Sequence, residues 1–215
     1  MIFEKHSKFE GLHAPFSASQ PYWLGKDFES NKERYVSKWI PTVGTVTHAF
    51  AEAMIKKRIK LSKSDMKMYK LYLLDNKVQC IPYYIVECLD LNGLFANLIP
   101  YINDGIGYHM TPEQVLYYSD RFFGTADTIA FNDNMLRIHD LKTGKLTAKM
   151  EQLMVYAALF CLEYNVKPGS IDMELRIYQN CEVIHHEPTA EDILPIMDQI
   201  QTQDKLFEKM LNEEV

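Results

Sequence analysis

The chain has no uninterrupted apolar stretch of about eighteen residues, the length a helix needs to cross a bilayer, so no membrane span is expected. Its opening segment, MIFEKHSKFEGLHAPF, lacks the continuous apolar core of a secretory signal, which makes the cytoplasm the default compartment. Cysteine is sparse. Cys80, Cys88, Cys161 and Cys181 are scattered with no CxxC pair, which suits reduced structural thiols better than a disulfide framework or a zinc ribbon. No G-x-x-x-x-G-K-[ST] loop is present, and no helicase motif. Repeats and low-complexity linkers are missing too. Positive charge is in deficit: the net charge is −6 and the pI about 5.6, which argues mildly against a nucleic-acid binder, because polyanions repel an acidic surface.

What is present is ordinary in bulk: 215 residues, 47% hydrophobic and 24% charged, enough for one generous domain or a domain with a substantial insertion. The charge distribution says more than the total. Residues 56–70, KKRIKLSKSDMKMYK, hold seven Lys or Arg against the single acid Asp65, and an acid-rich C-terminal segment offsets them. Such a run is either a solvated helix face or a strip that tracks phosphates.

Residues 1–40, with Pro15, Pro21 and two tryptophans, read as irregular structure with short helices. After Pro41 and Gly44, TVTHAFAEAMIKKRIKL reads as a helix, its Val46, Phe50 and Met54 forming one apolar stripe. Ser64 is a candidate N-cap for a second helix, DMKMYKLYLLDN. Residues 79–112 are apolar, and NDGIG within them reads as a turn. From Glu113 the pattern changes to strands: QVLYYSD, FGTADTIAFN and MLRIHDLKTG, with a hairpin turn at NDN. A helix from about Ala148 to Tyr164 follows, then SIDMELRIYQ and EVIHHEP joined by a tight NC turn, then a last helix from about Thr189. The order is that of a mixed α/β sheet with helices on its faces.

One stretch carries chemistry, IHDLKTG. Asp140 and Lys142 are two apart at a strand end and project the same way. They are either a surface ion pair or a metal ligand and its catalytic partner. Asp127 lies on the preceding strand, and a hairpin brings the two carboxylates to one end of the sheet. Close carboxylates repel unless a cation separates them. Mg²⁺ takes oxygen ligands, can activate a water and can neutralise charge on a phosphate. On the helix from 148, Lys149, Gln152 and Tyr156 share one face, and Met150, Leu153, Met154, Ala157 and Cys161 form an apolar face beside it. His48 and Glu52 sit one turn apart on the first helix, away from its apolar stripe, where His48 can ligate as neutral imidazole. Glu52 by itself reads as a solvated helix acid, Gly124 and Gly144 as turn glycines, and His139 as structural. His185 and His186 have no partner at metal-ligand spacing.

GTAD (124–127), DLKTG (140–144) and QLMVY (152–156), preceded by GTVTHAFAE (44–52), resemble the PD-(D/E)xK nuclease superfamily in its RecB-like branch, which includes CRISPR-adaptation and phage recombination exonucleases. The resemblance spans roughly residues 42–186 in the right motif order. It implies a restriction-endonuclease-like α+β core in a single nuclease domain. Within it, 1–41 would be an irregular and helical extension, 42–78 the first helices, 79–112 an insertion, 113–186 the catalytic sheet and helix, and 189–215 a C-terminal helix. It implies His48, Asp127, Asp140 and the Leu141 carbonyl as ligands of Mg²⁺ or Mn²⁺. It makes Lys142 the catalyst, with Gln152 and Tyr156 alongside, and Lys56, Lys57, Arg58, Lys60, Thr143, Lys145 and Lys149 contacts to DNA.

The implied activity is phosphodiester hydrolysis, exonucleolytic in mode, in repair, recombination or phage DNA processing. Partners would be DNA and a helicase, annealing or recombination protein, with a homo-oligomer left open. The chain departs from its CRISPR-associated relatives in having no cysteine after Cys181, so no iron–sulfur cluster is expected. Two other readings compete: a catalytically silent nucleic-acid- or protein-binding module of the same fold, and a structural subunit whose basic run docks an acidic partner.

Overall fold

The computed structural model of the protein describes residues 3–144 and 149–213. Five helices come first: α1 (Phe28–Ser37), α2 (Ile40–Lys56), α3 (Met66–Leu74), the short α4 (Tyr83–Val86) and α5 (Leu91–Gly107). Three strands follow, β1 (Thr111–Ser119), β2 (Phe122–Asn132) and β3 (Met135–Leu141). Then come α6 (Glu151–Glu163), β4 (Asp172–Gln179), β5 (Glu182–His186) and α7 (Ala190–Glu213). The strands form one sheet in the order β1-β2-β3-β4-β5. All neighbours are antiparallel except β3 and β4, which run parallel across the α6 crossover. This is the mixed sheet between helices that the sequence pattern implies.

Two cores hold the layers together. On one face α2, α3, α4 and α5 pack around Val46, Phe50, Tyr69, Leu98 and Tyr101, with Leu141 and Tyr178 contributed by the sheet. On the other, α6 and α7 bury Leu153, Ala157, Phe160 and Ile193 against Leu136, Ile138, Leu175 and Ile177. Neighbouring residues on β3 and β4 therefore serve opposite layers, as a two-residue period requires. The 132–135 and 179–182 hairpins turn on Asp133 and Asn134, and on Asn180 and Cys181, all four with left-handed φ near 50–60°. Two consecutive left-handed residues give the turn whose twist matches a hairpin.

Several local expectations shift. Helix α2 starts at Ile40, before Gly44, because Pro41 in the first turn needs no N–H partner. It ends at Lys56. Arg58 takes a φ of 55° while its N–H bonds Ile55 O and the Ile59 N–H bonds Met54 O, closing a Schellman cap. Lys57, Arg58 and Lys60 thus lie beyond the helix expected to carry them. Ser62, not Ser64, caps the next segment, through reciprocal bonds with Asp65. NDGIG is no turn but the last part of α5. The Asn103 amide holds both backbone groups of Leu61, and the chain reverses only at His109, whose φ is 55°. Helix α6 begins at Glu151, so Lys149 precedes it, and Lys145 lies outside the described residues.

Candidate metal centre

The β1–β2–β3 meander lines up three acids. Thr111 pairs with Ile129 and Gln114 with Ala126, so Glu113 stands opposite Asp127; Thr128 pairs with His139, so Asp127 stands opposite Asp140. The ladder skips Glu113, which has a left-handed φ of 53° inside β1. Strand alternation also slips here, since Ala126 and Ile129 both pack into the α6-side core. An irregular strand of this kind re-aims a side chain, and such irregularities cluster beside functional sites.

Helix α2 crosses this end of the sheet. Its His48, with Glu113 and Asp127, brings three potential ligand atoms within 4.8 Å of one another. His48 Nδ1 is 3.4 Å from Asp127 Oδ2, which also accepts the Leu141 N–H at 2.9 Å. The three side chains open into a cleft of about 630 Å³ that is also lined by Pro41, Glu52 and Thr143. Gly44 on α2 faces Thr143: a Cβ there would stand 3.0 Å from its hydroxyl, so the missing side chain lets the helix approach the loop after β3.

Asp140 is 2% exposed and belongs to a chain of contacts beside this group. Lys142 Nζ donates to Asp140 Oδ1 at 3.0 Å and to Gln152 Oε1 at 2.9 Å, and Gln152 Nε2 donates to the Tyr156 hydroxyl at 3.2 Å. The Tyr156 ring lies over Gly124, where a Cβ would come within 2.9 Å of it, so Gly124 is a packing requirement and not a turn. Asp140 Oδ2 is also 3.0 Å from Lys142 Nζ, so the ammonium straddles both oxygens of the buried carboxylate.

The electrostatics fit an unbalanced site. Burial, then the charge of Asp140, pushes the Asp127 carboxyl up to about 7. Burial holds the His48 imidazole below its ordinary value, favouring the neutral form that ligates metals. Desolvation and the Asp127 charge raise Glu113. A nitrogen and carboxylate oxygens are the donor set of a hard or borderline divalent cation. His48, Glu113 and Asp127 could hold one, with Asp140 Oδ2 and the Leu141 carbonyl adjacent.

Of the residues singled out in the sequence, His48 and Asp127 meet directly, and Asp140, Lys142, Gln152 and Tyr156 form the connected chain. Thr143 lines the cleft. Glu52 also lines it but is ion-paired with Lys56. Lys57, Arg58, Lys60 and Lys149 are exposed, with Arg58 hydrogen-bonded to His109. His139 is fully buried on the α5 side of the sheet, away from this centre. Glu113 went unnoticed in the sequence, where an acid after Pro112 at a strand start looks like a solvated edge. The β1–β2 register is the signal that would have found it.

Residues 29–180, well over half of the chain, match the model of a family described as "Protein of unknown function (DUF2800)", and the chain belongs to that family. No curated protein matches it.

Proposed function

We propose that the protein is a divalent-metal-dependent deoxyribonuclease of the PD-(D/E)xK type, acting on DNA ends. The observation that carries the reading is the convergence of Asp127, Asp140 and Lys142 with a helical histidine at one end of the sheet. An ion pair alone would not need His48, nor a Gln152–Tyr156 relay behind the lysine.

The residues divide the work. His48 and Asp127, with Asp140 and the Leu141 carbonyl, would hold Mg²⁺ or Mn²⁺. When bound, the ion supplies Lewis-acid neutralisation of phosphate charge and a more acidic water. Lys142 is fixed between Asp140 and Gln152, and Tyr156 fixes Gln152 in turn. A lysine restrained from both sides meets a scissile phosphate without reorganising, and orients the attacking water or stabilises developing charge. Thr143 and the exposed Lys57, Lys60 and Lys149 supply phosphate contacts, which fix register without reading sequence.

The test is cleavage of linear duplex and single-stranded DNA in Mg²⁺, in Mn²⁺ and in excess chelator. Cleavage that needs the metal, and that Asp140→Ala abolishes in a folded protein, is expected. Undiminished cleavage in chelator, or a fully active Asp140→Ala, would sink the assignment. Binding of DNA with no cleavage under any divalent ion would hand the protein to the silent-module reading.

A further inference from the structure

We propose that Glu113 is itself a metal ligand, joining His48 and Asp127, so that the cation is gripped from β1 as well as from α2 and β2; this rests on the metal centre of the proposed nuclease. The family resemblance names no residue on β1, and the assignment comes from geometry. The Glu113 carboxylate, the His48 ring and Asp127 present ligand atoms within 4.8 Å. Among the described residues Glu113 forms no salt bridge with a lysine or arginine, whereas Glu52, one helical turn from His48 in the same cleft, is taken by Lys56.

The backbone supplies a reason for Glu at that position. A non-glycine residue at φ 53° inside a strand is strained, and only asparagine and aspartate are much at home there. Glycine would relieve the strain, so the side chain has to justify itself. An independent observation points to the same place. Asp140, buried and ion-paired with Lys142 through both carboxylate oxygens, stands opposite Asp127 in the β2–β3 register, so its charge belongs to this end of the sheet. Three acids in register across adjacent strands, with one lysine among them, leave negative charge for a cation to balance.

The experiment is a titration of Mn²⁺ alone into the full chain, read by calorimetry or by the paramagnetic resonance of free Mn²⁺, for the unmodified protein, Glu113→Gln, Glu113→Gly and Glu52→Gln. Glu113→Gln keeps the shape and removes the charge. Glu113→Gly removes the ligand while easing the backbone, so its melting temperature should hold or rise as its Mn²⁺ affinity falls. Both should bind roughly tenfold more weakly or worse, on the scale of disrupted metal shells, with Glu52→Gln near the unmodified value. Either Glu113 variant binding Mn²⁺ as the unmodified protein does would overturn the assignment. So would no Mn²⁺ binding by the unmodified protein, or an equal loss in Glu52→Gln, which would mean general cleft charge and not ligation. DNA cleavage is scored separately. Glu113-dependent Mn²⁺ binding in a protein that cleaves nothing keeps the ligand and removes the nuclease. Cleavage with an affinity indifferent to Glu113 does the reverse.

Discussion

Two clusters of charged side chains flank strand β3 and have been treated in opposite ways. On the α5 side, Glu174 of β4 accepts from Arg137 and Arg176 at 3.2 and 3.0 Å, with the His139 ring 3.7 Å away. Asp104 of α5 accepts from Arg176 and from the Tyr178 hydroxyl at 2.9 and 2.6 Å, and the Tyr108 ring lies under both guanidiniums. Every acid there has its cation. The His139 contact and then Arg176 hold the Glu174 carboxyl at about 2. At the strand end, of Glu113, Asp127 and Asp140 only Asp140 is ion-paired with a lysine, Lys142, and Asp127 is driven the other way, to about 7. A protein able to neutralise the first cluster so fully could have placed an arginine at the second. On the proposed reading, the difference separates charge used to build the sheet from charge kept for a ligand.

Breaking the satisfied cluster should have the largest effect on stability. Glu174→Ala leaves Arg137 without its carboxylate partner while Arg176 keeps Asp104, in a half-buried site, and should destabilise by about 1–3 kcal/mol, the usual scale for losing hydrogen bonds to a charged group. Thermal unfolding reads this directly. The loss should be complete above about pH 4.5 and fade as pH falls from there through about 2, because a carboxyl held below its ordinary value stabilises fully above its unfolded pKa and not at all once it is protonated in the fold.

Breaking the unsatisfied cluster should do the opposite. The folded pKa of Asp127 lies above its unfolded value of 3.8, so ionising it opposes folding: the penalty is absent below that pH and complete above about 7. Asp127→Asn keeps an acceptor for the Leu141 N–H and removes the charge. In metal-free buffer at pH 8 it should gain on the order of 1 kcal/mol, a rise of roughly 2–4 °C in melting temperature. Near pH 5 the gain should shrink. A loss of stability at pH 8 would mean that the row of acids is already neutralised by something else.

The smallest effect belongs to the basic run. Its charges are spread over the end of α2, a loop and α3, and two of the first four are engaged, Lys56 by Glu52 and Arg58 by His109. Neutralising Lys56, Lys57, Arg58 and Lys60 together should therefore flatten the salt dependence of DNA binding by about two phosphate contacts, fewer than the four residues changed. An unchanged slope would return the run to a solvated surface.

This contrast also marks what could be read in the sequence. The sheet was legible because its period-two strands and hairpin turns are local, and Asp127, Asp140 and Lys142 because their spacing is short-range. Helix ends were misjudged where a long polar residue does the work of glycine, as Arg58 and His109 do in left-handed caps. Glu113 was hidden because its partner is set by register across a strand pair. The α5-side cluster left one trace, charged residues at every second position in RIHDL and MELRIY. That is a polar stripe within a buried sheet, whose meaning depends on Asp104 about seventy residues upstream of Arg176.

Whether the unbalanced end of the sheet is a catalytic metal site is decided by Lys142→Ala. DNA affinity is measured in Ca²⁺ and single-turnover cleavage in Mg²⁺, for the variant and the unmodified protein. Lys142 is held by Asp140 and Gln152; in the proposed role it acts on the reacting phosphate, so affinity should stay within a few-fold while the cleavage rate falls by roughly 10²-fold or more. Equal loss of affinity and rate would make Lys142 a phosphate anchor and contradict the account.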